Sequence, residues 1–266
     1  MWEPLTEVKD EIFSKLKSDK REPSDYYFLL SGLLQTNFQT YKAIRKLVAI
    51  DPKYPTQAHI LGRSVIDALF VILRLTENPH KYSRAYMLAG YLEGKVEHER
   101  ELFRYGKNEH DKAYFEDKKK FLGLFGKRLN VTQEEEQNPN KNFWPTPHQL
   151  IIKKELTDNK QKLAEEVYCW RYGQVSEWSH QLWGGMAMGI FSEKAEAHWI
   201  EGKFESDSVY MAILFFLMIL SEVEGSCRYG TNQKLKYIWT LLGSAFGEAK
   251  DYYDLRYSVL LDEQHQ

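Results

Sequence analysis

Apolar residues recur at helical spacing along almost the whole chain, and no stretch alternates as a strand would. Leu5, Val8, Ile12, Phe13 and Leu16 predict a short amphipathic helix over 5–16, which Pro23-Ser24-Asp25 breaks and recaps. Phe28, Leu34, Phe38, Tyr41, Ile44 and Val48 predict a long helix over 26–50. The stretch 57–75 is apolar almost all round, the signature of a helix buried on every side. Asn78-Pro79 closes it and opens the next, with Asn78 as cap and Pro79 at the first helical position. Amphipathic helices follow over 80–105 and 111–129; the lysines 118–120, with Lys127 and Arg128, are expected to form a solvated face.

The most polar stretch, 130–142, reads as the main surface loop, with Thr132 and Glu135 placed to cap a short turn inside it. Thr146-Pro147-His148-Gln149 has the form of a capping box, and the helix it opens is expected to break near Thr157-Asp158-Asn159. It restarts into a helix over 165–189. Asp207 reads as the cap of an apolar helix over 208–229, and Asn232 as the cap of a last amphipathic pair over 233–261. The expected fold is all-α, a single bundle of about eight to ten helices. It forms one domain over 1–266, with the helices 57–75, 165–189 and 208–228 at its core.

Composition narrows the field. A chain of 266 residues, 43% hydrophobic and 14% aromatic, can bury a sizeable core. The formal net charge of −2 removes the global electrostatic footprint of a dedicated nucleic-acid binder, while leaving room for a local patch. Cys169 and Cys227, both inside apolar helical patterns, are expected as buried free thiols. Residues 1–20 are amphipathic and charged, unlike a secretion signal, and the run 209–220 is shorter than a bilayer requires. The expectation is a cytoplasmic protein with no membrane partner, and the Asn130-Val-Thr sequon is taken as a chance match.

The chain has no phosphate-binding loop, dinucleotide fingerprint, zinc cysteine pair or nucleophile elbow. Any active site must therefore be built from side chains in the middle of helices. Two stripes offer one. His59, Arg63 and Asp67 lie at i, i+4 and i+8 on the 57–75 helix, and Tyr172, Ser176 and His180 repeat that spacing on the 165–189 helix beside Arg171. A histidine can move a proton near neutrality, and an arginine beside it can steady an anionic intermediate. The same residues could instead form a satisfied polar network that fixes helix register. A metal set of Glu177, His180 and Asp67 is a third arrangement, because Glu177-x-x-His180 has the spacing of bundle metal sites; Glu77-x-x-His80 repeats it. No cofactor is expected.

The segment His59-Ile-Leu-Gly-Arg63-Ser64-Val-Ile-Asp67, closed by Asn78-Pro79, resembles the first signature of a family of uncharacterised bacterial helical proteins. Asp67 stands where that family more often carries Glu. Arg171-Tyr172-x-x-x-Ser176-x-x-x-His180 resembles its second signature, and the resemblance extends over about 57–185. It implies a helical fold and a site at these residues, and no reaction. A looser resemblance is to the HEPN superfamily, helical and often dimeric. Its ribonuclease members use an arginine and a histidine without metal in toxin and phage-defence systems. Arg74 with His80, and Arg104 with His110, match that pattern literally, although Pro79 interrupts the first.

Two functional readings follow. In one, the protein is an RNA-cleaving effector of phage defence or of a toxin system, with His180 as acid or base and Arg171 or Arg63 holding the phosphate. In the other it is a non-catalytic interaction protein whose polar residues fix the core. The corresponding partners are RNA, a second copy of the chain, or another protein.

Overall fold

A computed structural model of the chain describes residues 2–50, 55–106, 109–139, 143–173 and 197–262, and every regular element among them is helical. The elements are α1 (Trp2–Ser18), α2 (Ser24–Ile50), α3 (Pro55–Leu75), α4 (Pro79–Tyr105), α5 (Lys112–Arg128), α6 (Gln133–Gln137), α7 (Pro147–Lys153) and α8 (Asp158–Val167). A π-helical turn follows over Tyr168–Tyr172. Then come α9 (Ala197–Cys227), α10 (Asn232–Ala245), α11 (Gly247–Tyr252), a second π turn (Tyr253–Tyr257) and α12 (Ser258–Asp262). The all-α expectation holds. The contacts gather into two compact units, one of residues 1–77 with 147–266 and one of residues 78–146.

The first unit is organised on α3, packed most extensively against α9 and α2. Its all-round apolar pattern is used in full: Val65, Ile66, Leu69, Ile72 and Leu73 have no exposed surface. Opposite them, Leu214 through Leu220 of α9 are likewise fully buried. Each such side chain contributes about 1.5–3 kcal/mol by leaving water. Tyr41 of α2 stacks on Phe216 with ring centroids 5.6 Å apart. The stretch Ser206–Cys227 is long and apolar enough to cross a membrane by length and composition, which the shorter run 209–220 had not suggested. Burial explains that character, since 83% of its most apolar window lies inside the bundle.

Polar side chains stitch the ends of these helices. Glu224, fully buried, accepts from the backbone N–H groups of Tyr229 (3.2 Å), Gly230 (2.7 Å) and Thr231 (3.1 Å). It also accepts from the Thr231 hydroxyl at 2.8 Å. One carboxylate thus satisfies the backbone donors of the turn that leads into α10, up to its cap residue Thr231. Gly230 turns the chain there at φ +81°, a conformation other residues rarely adopt. Glu77, at the end of α3, serves α8 in the same way, accepting from the Thr157 backbone N–H (3.1 Å) and hydroxyl (3.0 Å) and from Lys160 (3.0 Å).

Two expected caps are corrected. Asp207 does not start a helix; α9 begins ten residues earlier, at Ala197, and the Asp207 carboxylate turns sideways to Arg171 at 3.4 Å. Asn232 is the first residue of α10 rather than its cap, and its side chain reaches the Leu261 carbonyl at 3.2 Å. Cys227 is buried as expected, but Cys169, in the π turn, is exposed.

In the second unit, Asn78 caps α4 through the Lys81 N–H, with Pro79 in the first turn, as the sequence requires. The stretch 130–142 is not simply loop. Thr132 and Glu135 close a full capping box on α6, and Glu135 also takes a two-pronged bond from Arg84. α4 and α5 pack side by side. They approach so closely at Gly126 that an added Cβ would lie 2.8 Å from the Tyr91 hydroxyl. Lys118, expected on a solvated face, instead folds back onto Glu101 at 2.7 Å.

Candidate functional site

Tyr172, the first residue of the second stripe, meets the α3 stripe where the chain leaves α8. The π turn Tyr168–Tyr172 widens the coil by one residue, a distortion that occurs often at functional sites. Its last two side chains serve different neighbours. Tyr172 goes to α3 and Arg171 to α9 and α11.

At α3, Arg63 Nη2 donates to the Tyr172 hydroxyl at 3.1 Å, and its guanidinium lies 5.2 Å from the centre of the Tyr172 ring. Asp67 is 3.8 Å from Arg63 Nε along the helix. Phe70 meets the Tyr172 ring edge-on at 5.9 Å, and Tyr168 stacks on it at 5.2 Å. Burial pushes the Asp67 carboxyl up, against the opposite pull of Arg63 and Tyr172. Burial, then Asp67, likewise raises the Tyr172 hydroxyl. The group remains open to solvent, with side-chain exposures of 23% for Arg63 and 43% for Asp67. Here a cation, a carboxyl held toward its protonated form and a phenol sit within reach of one another. That set can bind an anion and exchange a proton with it.

Arg171 is held differently. Its guanidinium forks onto both oxygens of Glu248, with the Nε contact at 2.8 Å, and its third nitrogen faces Asp207. The two carboxylates raise its pKa. Tyr210 donates to Glu248 at 3.3 Å and stacks on Phe246 at 4.1 Å, closing this side. A cleft of about 570 Å³ opens beside the pair, lined by Glu166, Trp170, Arg171, Glu248, Asp251, Tyr252 and Leu255. A smaller hollow of about 280 Å³ adjoins Asp207 and Phe246. The larger cleft has more carboxylates than cations, so it repels a polyanion.

His59, third of the α3 stripe, is 4% exposed, with Nδ1 3.3 Å from the Ser208 hydroxyl. Burial holds its pKa down, Asp207 opposes that, and Arg171 adds to it. Its burial in the core thus disfavours the charged imidazolium. Ser176, Glu177 and His180 lie outside the described residues. Among the described residues no three His, Cys, Asp or Glu side chains are grouped to hold a metal ion. The structure thus joins Arg63, Asp67 and Tyr172 and places Arg171 and His59 in separate pairings. Sequence reasoning missed Glu248, Ser208 and Tyr210, which carry no motif; Asp207 was visible only as an apparent cap.

A family model described as a family of unknown function, DUF5677, matches residues 27–197, a span containing α3 and the π turn. No curated protein matches the chain, and no solved structure does.

Proposed function

The chain belongs to the family of unknown function DUF5677, and we propose that it cleaves RNA by acid–base chemistry without a metal, as an effector of bacterial phage defence or of a toxin system. A base removes the proton of a ribose 2′-hydroxyl, and that oxygen attacks the adjacent phosphorus. The bond from phosphorus to the 5′-oxygen breaks, and an acid protonates the departing oxygen. The products are a 2′,3′-cyclic phosphate and a 5′-hydroxyl. Arg63 holds the phosphate, and Asp67 and His180 share the proton transfers. The observation that supports this reading is the open meeting of Arg63, Asp67 and Tyr172 from stretches 109 residues apart in sequence. Their exposure leaves Arg63 and Asp67 within reach of a bound ligand.

The competing reading, a non-catalytic interaction protein, draws support from Arg171 and His59. Both are engaged in pairings, and the cleft beside Arg171 is acidic.

Expression in bacteria, with and without phage, separates the two. Wild type, Arg63→Gln, Asp67→Asn and His180→Ala are compared for growth, total RNA integrity and soluble protein. The proposal expects wild type to degrade RNA. Asp67→Asn and His180→Ala should be equally soluble and at least roughly a hundredfold slower, the usual loss for an acid–base group. Intact RNA with wild type, or equal cleavage by all four, refutes it.

A further inference from the structure

The outward face of α5 carries a seam that fits one partner. Tyr114, Asp117, Phe121, Leu124 and Arg128 follow one another at steps of three and four residues, the spacing that aligns side chains along one line of a helix facing another helix. All five are exposed, with Tyr114 at 54%, Phe121 at 64% and Leu124 at 69%. The opposite face of the same helix, with Phe115, Leu122 and Gly126, is already committed to α4. The Phe121 ring is held by stacking on Phe125 at 6.0 Å, so the apolar centre of the seam is preset.

The order of the seam identifies the partner. It reads acid, apolar, apolar, base, with Asp117 and Arg128 about 16 Å apart along the axis, from 1.5 Å per residue. Turned end for end, the same series puts base against acid and Phe121 against Leu124. We infer that α5 is an isologous interface at which two copies of this chain pair antiparallel, Asp117 of each meeting Arg128 of the other across Phe121 and Leu124. An interface for an unrelated partner has no reason to be complementary to itself. Lys120 and Lys127 border the seam; Lys120 reaches Asp117 of its own helix at 3.5 Å, and in this antiparallel register Lys120 of one copy comes near Lys127 of the other. The pairing is therefore reversible and responds strongly to a change of charge.

The test is sedimentation of the full chain from low micromolar to submillimolar concentration, with circular dichroism as the check on folding. Wild type shows a monomer–dimer equilibrium. Asp117→Arg alone and Arg128→Asp alone, each placing like charges in contact twice per dimer, weaken association at least roughly tenfold. The double variant Asp117→Arg with Arg128→Asp restores the pairs in reverse and recovers it. Phe121→Ser abolishes it while the helical signal stays at the wild-type level. A wild type that remains monomeric throughout overturns the inference. So does a dimer that ignores the single swaps, or binding of α5 to anionic lipid vesicles in place of self-association.

Discussion

Glu222 and Arg256 are buried to 1% and 8% side-chain exposure and meet through both guanidinium-side contacts, the second at 2.7 Å. Removing two charges from water costs several kcal/mol each, so the pair stands only while both members are present. Burial acts to lower the Arg256 pKa, and Glu222 more than reverses it. Glu222→Ala leaves the guanidinium buried without its counter-charge and should cost about 3–5 kcal/mol in urea unfolding. The apolar pair Glu222→Leu with Arg256→Met should recover most of that loss. An unchanged midpoint in Glu222→Ala would remove the pair from the account of stability. The contrast with Arg63 and Asp67 is instructive, because those two face water and a change there belongs in the activity assay rather than the unfolding curve.

At the level of elements, α10 depends on a residue in the preceding helix. Glu224 accepts three backbone N–H groups and one hydroxyl in the turn that leads into α10. Hydrogen bonds to a charged acceptor contribute about 1.5–3 kcal/mol. In Glu224→Ala the amides of Tyr229 to Thr231 should exchange with solvent about ten- to a hundredfold faster, while those in the middle of α3 keep their rates. Uniform acceleration would mean global destabilisation and no specific cap. This cap also shows where sequence reading stops. Local grammar was legible: Asn78 with Pro79, and Thr132 with Glu135, act within a few residues of themselves and were found. Asp207 obeyed the same grammar, an acidic residue before an apolar run, yet the chain upstream is helical and its carboxylate answers to Arg171. Glu224 acts seven residues ahead through a turn, with no local pattern. The stripe of His59, Arg63 and Asp67 was legible because periodicity assigns residues to a face. What stands opposite that face, Ser208 for His59 and Tyr172 for Arg63, is tertiary and leaves no spacing to read. Nor does a π turn have a residue code, so the separate destinations of Arg171 and Tyr172 had no sign in the chain.

Across the whole molecule, the charged groups make stability depend on pH in two stages. Asp19, held by Arg21 and Tyr229, and Glu135, held by Arg84 and the Thr132 backbone, are each lowered to about 2. Glu11 is lowered by Lys15 and Lys234, and Glu136 by Tyr91 and Lys95. Folding binds their charged forms, so their contribution is complete above the ordinary values of 3.8 and 4.5 and is lost as pH falls below them. His59 acts earlier. Its folded pKa lies below 6.5 because burial penalises the imidazolium, so the unfolded chain takes up the proton first and stability starts to fall below pH 6.5. Asp67 runs the other way. Its raised carboxyl is protonated sooner in the fold, and it returns some stability as pH drops toward 3.8. The melting temperature should thus be level around neutrality, slope gently below 6.5 and fall steeply below 4.5. His59→Gln keeps a hydrogen-bonding side chain opposite Ser208 without a titrating one, so it should erase the gentle limb and leave the steep one. Scanning calorimetry on both proteins over this range decides it. A gentle limb that survives in His59→Gln would assign it to another group, and a level profile down to pH 4 would show that neither stage operates.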